Sequence, residues 1–264
     1  MKSTLKDIQN LNDTRGIDIQ KVGVNDVEIP LIIQRKNEAN QVVSAKARMS
    51  VSLPKDYKGT HMSRFMEVIN DWRAKNLLGI DIKGILQDFQ KKLDAQSAHV
   101  RFVFKYFIKK EAPISKSVSV MGYECSFEGN LTDENYEFKL GVKVPVTTLC
   151  PCSKEISNYS AHNQRAMIKI IISYDEKEQI WLEDLIKLAE NCGSCEVYPI
   201  LKREDEKFVT EKAYDNPKFV EDVIRDVILN LKKNPIINSF EVECEAFESI
   251  HNHSAWAYQK EIIN

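Results

Sequence analysis

The chain has 264 residues, 43% hydrophobic and 29% charged, with 9 Gly and 8 Pro. This is the composition of an ordinary globular protein of one or two domains, and it excludes a linker-rich or low-complexity chain. The 37 Lys and Arg against 39 Asp and Glu leave a formal net charge of -2, which argues against a general nucleic-acid binder. Such a protein needs a basic surplus to displace counterions, although a small anion could still sit in a local basic pocket.

No apolar run approaches the roughly 20 residues needed to span a bilayer. Met1 to Gly16 is polar and lacks the apolar core of an export signal. No membrane partner and a cytoplasmic location are therefore expected.

Residues 1–38 read as loosely organised, an arm or an edge segment. Ala45 to Leu53 alternates as a strand, and residues 54–59 make a turn. Met62, Phe65, Met66, Ile69 and Trp72 then recur at helical spacing, as do Ile82, Ile85, Leu86, Phe89 and Leu93. The period changes to two in His99 to Lys110. There Val100, Phe102, Phe104, Tyr106 and Ile108 take one face, and Arg101, Lys105 and Lys109 the other. Ser117 to Gly129 reads as its antiparallel neighbour.

Strands are next expected over Tyr136 to Val146 and Arg165 to Tyr174, with a helix over Trp181 to Cys192. Asn216-Pro217 reads as a helix start, with Asn as cap and Pro at the first helical position. Ser239 to Ala257 closes with strands. The same order of strands, paired helices and strands occurs twice, without sequence self-similarity. The expected class is α+β, with antiparallel sheets and helices on one face. Residues 39–264 form one bimodular unit in this reading, with modules near 39–131 and 132–264.

The densest chemistry lies in residues 147–157, Thr-Thr-Leu-Cys-Pro-Cys-Ser-Lys-Glu-Ile-Ser, running on to Ala161-His162-Asn163-Gln164-Arg165. It reads as a loop between strands. A thiolate and a neutral imidazole suit a borderline-soft metal, so Cys150 and His162 are candidate ligands that need about one more protein ligand and an open position. Spacing alone leaves open a closed structural site of Cys150, Cys152, Cys192 and Cys195. A thioredoxin-like pair at Cys192 and Cys195 fits less well, since no strand-to-helix junction is expected there.

Glu248-Ser249-Ile250-His251-Asn252-His253 forms a second cluster. On an extended chain His251 and His253 share a face, suited to proton transfer or metal binding. Residues 201–207, Leu-Lys-Arg-Glu-Asp-Glu-Lys, read first as a solvated charged turn. A carboxylate there could still complete a metal site, and Lys202 and Arg203 could bind phosphates. Glu221 falls near a helix start, where the helix dipole favours an acid in any case.

Taken together these blocks resemble the prokaryotic type IB GTP cyclohydrolases. The resemblance also runs through residues 58–65 (Lys-Gly-Thr-His-Met-Ser-Arg-Phe), Asp205-Glu206-Lys207 and residues 214–222 (Tyr-Asp-Asn-Pro-Lys-Phe-Val-Glu-Asp). It implies a tunnelling fold of two ββααββ modules and a toroidal homo-oligomer, usually a tetramer, with active sites at subunit interfaces. The implied reaction turns GTP and water into 7,8-dihydroneopterin triphosphate and formate. That reaction is the entry to tetrahydrofolate synthesis and in some bacteria feeds queuosine.

Carried over residue by residue, Cys150, His162 and Glu206 match the ligands of one divalent metal, which could be zinc, manganese or iron. Cys152, Glu248, His251 and His253 match further active-site positions, and Glu221 matches the acid that anchors guanine. Glu204 stands where the family often has a small residue or Pro. Lys202, Arg203, Arg165, Lys58 and Arg64 are candidate cations for the triphosphate. A purine- or pterin-binding relative without the reaction is the competing expectation.

Overall fold

The computed structural model describes residues 7–79, 81–133, 135–175 and 177–263. The first six residues of the segment read as an arm lie outside the described residues. In chain order the elements are β1 (Ile19–Ile33), β2 (Gln41–Leu53), α1 (Met62–Trp72), β3 (Asn76–Leu77), α2 (Asp81–Leu93), β4 (Ala98–Glu111), β5 (Val118–Leu131) and β6 (Tyr136–Leu149). They continue as α3 (Pro151–Ile156), β7 (Asn163–Tyr174), α4 (Leu182–Glu190), β8 (Cys195–Glu196), α5 (Arg203–Asp215), α6 (Val220–Leu231), β9 (Ile237–Ala246) and β10 (Ala255–Ile262). Strands hydrogen-bond in the order β10-β9-β7-β6-β5-β4-β2-β1-β3, with β8 on β6, so the class is mixed α+β with ten strands.

The chain divides into two compact units, residues 1–104 with 126–139, and residues 105–125 with 140–264. In the first, β1 pairs antiparallel with β2 from Ile33↔Gln41 to Ile19↔Leu53. One irregularity, between Val24 and Val27, contains Asp26 at φ 56, a conformation Asp tolerates better than most residues. Gly23 sits against β2 so closely that a Cβ would meet the Met49 carbonyl oxygen at 1.9 Å. Alternate residues of β2, from Val43 to Leu53, are buried. Phe65 of α1 and Phe89 of α2 meet with ring centroids 5.3 Å apart. Burying side chains of this kind contributes roughly 1.5–3 kcal/mol each.

In the second unit β9 lies between β7 and β10, with Ala246 opposite both Ala166 and Ala255. The helix α6 packs on β9 and β10 and contributes Val220, Val223, Ile224, Val227 and Leu231 to the core. Buried Leu182, Leu185, Ile186 and Ala189 of α4 join it.

Three sequence expectations change. Residues 19–33, read as loosely organised, form a fifteen-residue strand. Its polar Asn25-Asp26 falls at the bulge and interrupts the alternation that would have marked it. Residues 203–215, whose start was read as a turn, form α5. Only Asp205 and Ala213 of this helix are buried, so it has no apolar stripe to reveal a 3.6-residue period. Asn216-Pro217 does not begin α6, which starts at Val220 with Phe219 as its cap. Asn216 instead closes α5, and its amide donates to the carbonyls of Gly193 (3.0 Å) and Ser194 (3.2 Å).

Candidate active site

The site is built where β6 ends and β7 begins. Pro151 at the first turn of α3 lets the chain leave β6 directly into a helix, and Cys150 is its N-cap. The Cys150 sulfur accepts from the Ser153 amide at 3.4 Å. The Cys150 amide donates to the His162 carbonyl at 3.1 Å, which closes the loop at its base. The expected loop therefore contains one short helix.

His162 Nδ1 lies 2.9 Å from Gln164 Oε1, and Gln164 Nε2 donates to Thr148 Oγ1 at 3.2 Å. Phe247 donates its amide to the Arg165 carbonyl at 2.9 Å, one step beyond the Ala166↔Ala246 pair. That bond brings Glu248 and Ser249 beside His162. Ser249 Oγ lies 3.4 Å and Glu248 Oε2 3.9 Å from His162 Nδ1.

A cavity of about 300 Å³ is lined by Cys150, His162, Glu221, Glu248, His251 and Trp256, among others. Five residues singled out in the sequence thus meet in one place. Glu221 enters from the first turn of α6. His253 is exposed, and its ring stacks on that of His251 at 5.2 Å and 19°. Residues 248–254 lie outside the strands, so this stacking comes from the loop and not from the alternation of an extended chain. Cys152 is exposed on α3.

Other candidates lie elsewhere. Glu206 is exposed in the first turn of α5 and does not line this cavity. Lys202 caps α5, and Arg203 opens it. Arg165 lines a separate cleft of about 390 Å³ with Tyr198 and Thr210. Lys58 and Arg64 belong to the first unit, where Arg64 lines a cavity of about 240 Å³ with His61.

The cysteines separate into two groups. Burial pushes the Cys192 and Cys195 thiols up to about 11. Burial, with the Glu221 carboxylate adding to it, pushes Cys244 up to about 12. Cys192 donates to the Leu188 carbonyl at 3.2 Å. Gly193 lies so close to β6 that a Cβ would meet Val146 Cβ at 2.6 Å, and the Ser194 hydroxyl accepts the Leu149 amide at 3.1 Å. The Cys-Gly-Ser-Cys run is therefore a packing element that braces β6 just before Cys150. All six cysteines are free, so Cys192 and Cys195 form no disulfide. Among the described residues no three His, Cys, Asp or Glu side chains are close enough to hold a metal, so one chain assembles neither the four-cysteine site nor the set Cys150, His162 and Glu206.

The donors at the cavity nonetheless fit a divalent ion in kind. A thiol, an imidazole and a carboxylate face it, and Glu248 Oε2 is buried without a hydrogen-bond partner among the described residues. An orphaned carboxylate oxygen beside an imidazole is an acceptor that a bound ligand or its water can satisfy.

Asp205, Gln164 and Thr148 fall inside the motifs quoted above, but sequence reasoning assigns them no role of their own. Asp205 is fully buried and accepts from the amides of Ile114 (2.8 Å), Ser115 (2.9 Å) and Lys202 (2.8 Å), and from the Ser115 hydroxyl (2.6 Å). Burial disfavours its charge, but these donors outweigh burial and hold the carboxyl well below the usual range. They fix the start of α5, which carries Glu206, to the β4–β5 turn. Gln164 and Thr148 carry one legible signal: each stands two residues from a candidate ligand, the spacing that puts side chains on one face of an extended chain.

Solved structures with this fold include the uricases of Arthrobacter globiformis (TM-score 0.56, 7% identity, 92% of this chain and 93% of that one) and Bacillus fastidious (TM-score 0.58, 10% identity, 92% and 93%). At such identities the likeness defines the fold class alone. The family model described as type I GTP cyclohydrolase folE2 matches residues 5–257. GTP cyclohydrolase FolE2 of Geotalea uraniireducens is 52% identical over 253 residues, 96% of this chain and 92% of the relative. That of Thermosipho africanus is 50% identical over 253 residues, 96% of each chain. The chain belongs to the type I GTP cyclohydrolase FolE2 family, the label these matches carry in place of the type IB label read from the motifs. The activity this membership carries is that of a GTP cyclohydrolase.

Proposed function

We propose that the protein converts GTP and water to 7,8-dihydroneopterin triphosphate and formate, the first step of tetrahydrofolate biosynthesis. One observation carries the reading: Cys150, His162, Glu221, Glu248 and His251 line a single cavity.

The Glu221 carboxylate accepts hydrogen bonds from the ring amide and exocyclic amine of guanine, a bidentate match a neutral side chain reproduces poorly. Cys150 and His162 would hold a divalent ion (zinc, manganese or iron), with Glu206 as the carboxylate ligand implied by the family. When bound, the ion supplies the Lewis acidity that makes water a nucleophile near neutral pH. His251 gives a proton to the purine nitrogen as the imidazole ring opens. Glu248, Cys152 and His253 share the later proton transfers of sugar rearrangement and ring closure.

The triphosphate needs cations to balance its charge. Lys202, Arg203, Arg165, Lys58 and Arg64 all stand outside the cavity lining. This placement, with Glu206 also outside it, supports a toroidal homo-oligomer, a tetramer in this reading, with sites completed between subunits.

The test is direct. The protein is incubated with GTP and Mn²⁺ or Zn²⁺, and neopterin fluorescence is read after oxidation and dephosphorylation. Product is expected. No product with any divalent metal, from a folded oligomer, overturns the reading and leaves a purine- or pterin-binding protein. Metal content separates the carboxylates: Glu206→Ala should lose the ion, and Glu248→Gln should keep it.

A further inference from the structure

We propose that Gln164 is a positioning residue, holding the His162 imidazole with Nδ1 protonated and Nε2 bare, and that Thr148 holds Gln164 in turn. The inference rests on the reading of His162 as a metal ligand and deepens it.

The geometry is a closed ring across β6 and β7. At one point the Cys150 amide meets the His162 carbonyl at 3.1 Å. Two residues before Cys150 and two after His162, the side chains of Thr148 and Gln164 meet at 3.2 Å. The ring closes through Gln164 Oε1, 2.9 Å from His162 Nδ1. Side chains two apart on a strand share a face, so the pairing that joins the backbones also stacks these groups on the cavity side.

The polarity of the ring follows from its members. An amide oxygen accepts only, and Gln164 presents its oxygen to His162 while its nitrogen donates to the Thr148 hydroxyl. The charged neighbour of Nδ1 is the Glu248 carboxylate at 3.9 Å, also an acceptor, and the Ser249 hydroxyl at 3.4 Å can accept as well. Two acceptors beside Nδ1 call for Nδ1–H, and a neutral imidazole then has its lone pair on Nε2, the form that binds a metal. Thr148 is 1% exposed, so a hydroxyl placed there needs a partner in the protein, and Gln164 is that partner. Groups that fix the ring of a metal-binding histidine typically change metal affinity 10–100-fold when removed.

Three variants of the full-length protein test this, each checked first for a native thermal melt. Zn²⁺ affinity is measured by competition with a chromophoric chelator. The His162 tautomer is read from imidazole ¹⁵N shifts in metal-free protein. Gln164→Leu keeps the volume and removes both polar ends; Zn²⁺ binding should weaken about 10–100-fold, with a mixture of tautomers in the free protein. Gln164→Glu keeps the acceptor and should retain the native tautomer and an affinity within about threefold of native. Thr148→Val removes one hydroxyl and should move both readouts in the direction of Gln164→Leu, by a smaller amount. It carries the test if Gln164→Leu does not fold. A folded Gln164→Leu with native Zn²⁺ affinity and an unchanged tautomer overturns the proposal. If the native protein binds no Zn²⁺, the metal reading of the site fails, and the tautomer spectra alone decide the positioning role.

Discussion

The amide of Cys150 donates to the carbonyl of His162 at 3.1 Å, so the two candidate ligands are joined through the backbone before any ion arrives. A thiol and an imidazole twelve positions apart become neighbours because the strands they flank, β6 and β7, pair. Preorganisation of this kind lets a metal bind without first ordering the chain.

Cys150→Ala should therefore abolish turnover and leave the fold intact. Chelation should lower the melting temperature by only several degrees, since a ligand at about 100 times its Kd adds about 2.7 kcal/mol. Cooperative unfolding with an unchanged far-ultraviolet circular dichroism spectrum after chelation is the expected measurement. Unfolding at room temperature on chelation would instead mark a structural ion.

Glu221→Ala should reduce kcat/KM for GTP at least about a hundredfold, because two hydrogen bonds to a charged group are removed together. Metal content by elemental analysis should stay at one ion per site. Loss of the ion in this variant would count against a role in binding guanine.

Asp205→Ala strips the acceptor from three backbone amides and should lower the melting temperature by on the order of 5–10 °C. Its carboxyl sits below the ordinary value of 3.8 in the folded protein. The stability it contributes is therefore complete above the unfolded value and is lost as pH falls toward the folded one. Thermal melts between pH 2 and about 6 should show a steeper acid limb in the native protein than in Asp205→Asn. Equal acid limbs would show that this carboxyl is not held ionised by its donors.

Native thiol labelling near pH 8 should count two fast cysteines per chain, Cys150 and Cys152. The other four are buried, and burial holds Cys192, Cys195 and Cys244 at about 11 to 12. Zn²⁺ should protect one of the two. A third fast thiol in the folded protein would contradict the packing role of the Cys-Gly-Ser-Cys run.

The helices with an apolar stripe were legible in the sequence. Met62–Trp72, Asp81–Leu93 and Leu182–Glu190 lie where the spacing of their apolar residues placed them. Strands with a buried face, such as Ala98–Glu111, were legible for the same reason. The first strand was not, because a bulge at Asp26 breaks its alternation. The helix over Arg203–Asp215 was not, because a buried carboxylate bonded to a distant turn anchors it, and no periodicity reports that.

By itself the sequence determined which residue types were available and in what local frames: a thiol before Pro, an imidazole beside a strand, acids in the first turns of helices. Periodicity and cap chemistry are short-range properties, and a linear chain displays them openly. Only the tertiary structure decided that Cys150, His162, Glu221, Glu248 and His251 share one cavity while Glu206 and Arg165 do not line it. Strand pairing joins residues as far apart as Ala166 and Ala246, and its register is fixed by which faces can be buried, a property of the whole fold.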